Sequence, residues 1–169
     1  MSEVAAGGRD RAGVQEFIER FAGQLADAGM QRMAARVFVA LLAEDAARLT
    51  AAELAEVLQV SPAAISGAVR YLTQVDMIER RREPGSRRDY YFLKADMWYD
   101  MITQREQLML RWRSILDDGI DALGVHTRAG QRMRETVAFF DYLHEEMPGV
   151  MERWKERRAK LHREWGLSD

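Results

Sequence analysis

"TAAELAEVLQVSPAAISGAVRYLTQVD", residues 50–76, contains two helix starts. Thr50 with Glu53 three residues on is a capping box that opens the short helix "AAELAEVLQ". Ser61 is a good N-cap, and Pro62 suits the first helical position after it. Ile65, Val69 and Leu72, with Ala68 beside them, form an inward stripe at helical spacing. Two short, capped helices in close succession read as a helix-turn-helix, whose second helix lies in the DNA major groove. The outward face of that helix is small: Ser61, Ala63, Ala64, Ser66 and Gly67, with Arg70 one turn further on. Small side chains permit close approach to base edges, serine hydroxyls can meet phosphates or bases, and arginine can take guanine with two hydrogen bonds.

Moving outward, "MIERRRE" (77–83) reads as a strand, "PGS" as a turn and "RDYYFLK" (88–94) as a returning strand. This hairpin gathers Arg80, Arg81, Arg82, Arg87 and Arg88 in a chain whose net charge is −2. From Ser61 to Lys94 seven basic residues face four acidic ones, +3 net, so the remainder carries −5. Such asymmetry points to an anionic partner for one segment. A charge run is more often a solvated face, and Glu79, Glu83 and Asp89 can neutralise part of this one locally. Directly behind a capped helix-turn-helix, however, the hairpin reads as a wing that reaches the minor groove and flanking phosphates. Arg82, Arg87 and Arg88 are its candidate DNA contacts.

The flanks are helical. Val14, Phe17, Ile18, Phe21 and Leu25 mark a first helix that Gly29 closes. Met33, Val37, Phe38, Leu41 and Leu42 mark a second, from about 30 to 44. From residue 95 an apolar stripe including Trp98, Ile102, Met109 and Trp112 runs to Leu123. Met133, Val137, Phe140, Met147, Met151, Trp154, Leu161 and Trp165 continue near heptad spacing, and Pro148-Gly149 is expected to kink or break that last helix. Long stripes need cover, and a second copy of the chain supplies it. The expected fold is therefore mainly α with a small β-hairpin wing. Residues 1–28 form a tail and dimerisation helix, 30–95 a winged helix-turn-helix, and 96–169 long dimerisation helices.

These features together resemble the MarR family of bacterial transcriptional regulators. The resemblance spans "AAELAEVLQVSPAAISGAVRYLTQVDMIERR", the basic wing and the two long C-terminal helices. "GMQRMAARVFVALL" and "GSRRDYYFL" look closest to its GbsR-type branch. The resemblance implies a homodimer on a pseudo-palindromic double-stranded DNA operator, usually a repressor, released when a small hydrophobic ligand binds between the dimerisation helices and the winged domain. Phe17, Phe21, Met33, Trp98 and Met101 are the ligand candidates, although a Met and aromatic stripe is more often plain core. Many family wings carry Asp two residues before an Arg, and the pair fixes the wing tip. Ser86 stands there in this chain, which leaves Arg87 and Arg88 as alternatives for the groove.

Other classes fit less well. The chain has no cysteine, which suits a cytoplasmic setting. No apolar run approaches the ~18 residues of a membrane span, and the start reads as a flexible tail without a signal peptide. His126, His144 and His162 lie far apart, outside any metal-binding or catalytic spacing. No enzyme, cofactor or metal site is expected. The competing reading is a winged-helix module for protein assembly, of the chromosome-segregation accessory type. It would expose large apolar residues on the second helix, and of the wing's Tyr90, Tyr91 and Phe92, alternation buries at least one.

Overall fold

A computed structural model of the chain describes residues 10–82, 88–94 and 97–166, without the side chains of residues 100, 101, 103 and 104. It divides into two units, Met1–Met97 and Trp98–Asp169.

In the first unit, α1 (Arg11–Asp27) starts on Asp10, whose carboxylate accepts from the Ala12 N–H. It ends before Gly29, which takes φ +103 and lets the chain reverse. α2 (Arg32–Leu42) is the central element, with Val37, Phe38, Val39 and Leu41 inaccessible to solvent. α1 covers one side of it through Ile18 and Ala22. On other sides lie α3 (Ala51–Leu58), with Leu54 and Leu58 buried, and α4 (Pro62–Gln74), with Ile65, Ala68, Val69 and Leu72 buried. Burying a side chain of the size of leucine or isoleucine contributes about 1.5–3 kcal/mol, so this layer dominates the unit's stability.

The wing is not a bare hairpin. β1 (Arg48–Thr50), β2 (Ile78–Arg82) and β3 (Asp89–Leu93) form an antiparallel sheet in the order β1-β3-β2. Three residues show too little alternation to read as a strand, and only pairing with β3 makes them one: Arg48 opposite Phe92, Leu49 opposite Tyr91, Thr50 opposite Tyr90. Leu49, Ile78 and Tyr91 share the buried face.

The second unit is an antiparallel helical hairpin of α5 (Met97–Leu123) and α6 (Arg128–Trp165). Thr127 shapes the corner: its hydroxyl donates to the Gly124 carbonyl (2.9 Å) and accepts from the Gly130 N–H (3.0 Å). A Cβ at residue 130 would stand 2.2 Å from that carbonyl, so only glycine fits. Along the hairpin Arg113 bonds Asp141, Trp112 meets Phe140 (6.4 Å between ring centres), His144 Nδ1 lies 2.5 Å from Glu106, and the Lys155 ammonium sits over the Tyr99 ring. α6 runs on through Pro148, so of the kink or break expected there the break does not occur. Proline forfeits one bond, to the carbonyl of His144. The helical hydrogen bonds of the long stretches on either side of it outweigh that loss.

Candidate nucleic-acid interface

The turn between α3 and α4 is held at every joint. Thr50 N–H donates to Glu53 Oε2 (2.7 Å), and Glu53 N–H donates to Thr50 Oγ1 (3.2 Å), completing the capping box. The Thr50 backbone bond holds the Glu53 carboxyl below the usual range for glutamate. α3 ends on Gln59 in the left-handed region (φ 53). Ser61 Oγ accepts from Ala64 N–H (3.4 Å), and Pro62 occupies the first turn of α4. A further brace was not visible in the sequence. Arg36 of α2, 17% exposed, donates to Glu19 of α1 (2.8 Å) and to the carbonyl of Leu58, the last residue of α3 (3.0 Å). One guanidinium thus ties α1 and α2 to the end of the first turn-flanking helix, where a cation also suits the helix dipole.

With its apolar stripe turned inward, α4 shows solvent the expected face. Ser61, Ala63, Ser66, Gly67 and Arg70 are exposed, and Ala64 is half-buried. Nothing lies within 4 Å of where a Cβ on Gly67 would stand. Among the described residues Arg70 has no hydrogen bond or ion pair.

The wing arginines are sorted by the strands. Arg80 and Arg82 alternate onto one face of β2, opposite Tyr91 and Asp89. Asp89 takes both, Arg80 at 2.5 Å and Arg82 at 3.5 Å. Arg80's hydrogen bond holds the Asp89 carboxyl below its ordinary range and raises Arg80 in turn. Arg81 points to the other face, bonds Glu79 (2.6 Å) and lies over the Phe92 ring (5.1 Å). The local neutralisation weighed from the sequence is therefore real for Arg80, Arg81 and Arg82, although each stays more than half exposed. Arg88 is exposed. Ser86 and Arg87 lie outside the described residues.

The ligand candidates fall in both units. Phe17 is exposed, Phe21 is half-buried, and their rings stack at 5.9 Å beside an open groove along α1 that also takes in Glu16, Arg20 and Gln24. Met33 is half-buried on α2, Trp98 of the second unit is 44% exposed, and the Met101 side chain lies outside the described residues. Among the described residues no cluster of His, Asp and Glu could hold a metal ion. No described helix is long and apolar enough to cross a membrane.

Two family models match the chain. Residues 28–89 match the MarR family, and residues 96–157 match MmpR5-like MarR family transcriptional regulators. The chain is similar to the HTH-type transcriptional regulator MmpR5 of Mycobacterium tuberculosis, 29% identical over 148 residues that cover 87% of this chain and 90% of that one. It is also similar to a solved crystal structure of a transcriptional regulator, with TM-score 0.71 and 28% identity over 85% of this chain and 99% of that one. These matches carry the family and not the GbsR-type branch.

Proposed function

The chain belongs to the MarR family of DNA-binding transcriptional regulators, and from that premise we propose that it works as a homodimeric repressor in the cytoplasm. Each protomer presents α4 to one half of a pseudo-palindromic operator, its wing arginines meet the flanking groove and phosphates, and a small hydrophobic ligand releases the complex. The observation that carries the DNA contact is the outer face of α4: small exposed residues, the open position at Gly67, and Arg70 with no partner among the described residues. An assembly surface would show large apolar side chains there. α4 shows none.

Dimerisation is supported by the second unit. Trp112, Phe139, Tyr142, Trp154 and Trp165 are between 46% and 65% exposed on the hairpin. Aromatic surface of that extent asks for cover, and two-fold pairing would set two recognition helices ~34 Å apart, one turn of DNA. A ligand that favours the free geometry by ~3 kcal/mol would weaken DNA binding about 100-fold, and DNA would weaken the ligand by the same factor.

The test is Arg70→Ala, titrated by fluorescence anisotropy against the operator and against random duplex. A lost guanine contact costs roughly 1–3 kcal/mol of discrimination, so affinity for the operator should fall more than affinity for random DNA. Equal losses would limit Arg70 to phosphate, and no loss on either would remove this face from the interface.

A further inference from the structure

The face of the wing sheet opposite the core carries a row of charge and rings that no stretch of sequence displays together. Arg48 on β1 stands opposite Phe92 on β3, and Arg81 on β2 stands opposite Tyr90. The Arg48 guanidinium lies 5.2 Å from the Tyr90 ring centre and 5.8 Å from that of Phe92, and Arg81 stacks on Phe92 from the other side at 5.1 Å. The two rings are 6.5 Å apart. Arg88 precedes Tyr90 by two residues, and its charge and that of Arg48 both act on the Glu53 carboxylate. Three arginines from separate stretches of chain therefore lie around Tyr90, Phe92 and the start of α3.

We infer that Arg48 is a DNA-phosphate contact of this chain, seated by Tyr90 and Phe92 beside the N-terminus of α3. The inference rests on the DNA-binding reading above. The first helix of a helix-turn-helix crosses the phosphate backbone, and Arg48 lies two residues before its N-cap, Thr50. A helix N-terminus and an adjacent guanidinium favour the same anion. A ring face draws the guanidinium by its positive charge, and a phosphate draws the same charge through charge-assisted hydrogen bonds, so one side chain can serve both. Stacking also restricts the long side chain before DNA arrives, which lowers the ordering cost on binding. Glu53 does not oppose this strongly, because its carboxylate is turned back onto the Thr50 N–H and hydroxyl.

The experiment uses the full chain and a mixed-sequence duplex of about 30 base pairs, nearly three helical turns, because a phosphate contact acts on any sequence. Affinity is measured across a salt series for the wild type, Arg48→Ala, Arg48→Gln and Arg48→Lys, with a thermal melt of each. Arg48→Ala should shallow the slope of log K against log salt by about 0.9 per protomer, about 1.8 for a dimer. Arg48→Gln should do the same while keeping a stem over the rings, so it decides the matter if the alanine variant folds poorly. Arg48→Lys should retain the slope. If Arg48→Gln melts like the wild type and keeps the full slope, Arg48 only braces the wing and the inference is wrong. If the wild type itself binds no duplex, the DNA-binding reading falls and takes the inference with it.

Discussion

Gly67 sits inside α4 with nothing beyond its own helix turns within 4 Å of where a Cβ would stand. A helix-interior glycine costs roughly 0.5–1 kcal/mol relative to alanine, and no contact within the chain accounts for that cost. On the proposed DNA-binding reading, close approach of the duplex accounts for it. Gly67→Ala should therefore raise the unfolding free energy by about 0.5–1 kcal/mol, read as a higher urea midpoint at unchanged slope. Gly67→Gln, whose Cβ would likewise meet nothing within 4 Å beyond its own helix, should fold normally and weaken duplex binding at least tenfold by standing in the way. If Gly67→Gln binds DNA as the wild type does, α4 does not lie against the duplex with this face. Gly67, Ser66 and Arg70 were legible in the sequence because helical period alone assigns them outward. Arg36 and Arg48 were not. Each acts through partners distant in sequence, Glu19 and Leu58 for the one, Phe92 and Tyr90 for the other.

At the scale of elements, caps and stripes were sufficient for α3 and α4. Thr50 with Glu53, and Ser61 with Pro62, signal their starts within four residues each. The wing was legible as a hairpin but not as a sheet, because β1 exists only through its pairing with β3. The arginine run was the least legible part. Strand alternation sends Arg80 and Arg82 to one face and Arg81 to the other, and the hairpin register brings Asp89 opposite Arg82. Asp89 links the two strands through both arginines, so the wing should depend on its charge. Its folded-state pKa is depressed. The stabilisation is therefore complete above the unfolded value of about 3.9 and is lost as pH falls through the lower folded value. A carboxyl chemical-shift titration should place the Asp89 midpoint below 3.9, and Arg80→Gln should move it upward. A midpoint unmoved by Arg80→Gln would show that the pair does not form in solution.

For the whole molecule, the two units ask for different partners. The first has a closed core around α2 and exposes a small, basic-edged face. The second buries only Gly130 and Val137 of the 38 residues of α6. Its long stripes were plain in the sequence. The persistence of α6 through Pro148 was not, since a proline removes one helical hydrogen bond and the rest of a 38-residue helix offsets it. Removing residues 149–169 should give aggregates or a poorly folded chain, read by light scattering and circular dichroism, because the aromatic surface of the remaining hairpin would lose its partner. A soluble, folded monomer would overturn the dimer. Selection of bound duplexes from a random pool by the full chain decides whether a two-fold protein reads two half-sites. An inverted repeat with half-site centres about 10.5 base pairs apart or a multiple of that should be enriched, and its most constrained base pair should lose its constraint when the selection is repeated with Arg70→Ala. Retention of duplexes with no enriched sequence, or with a single unrepeated site, would contradict two-fold recognition.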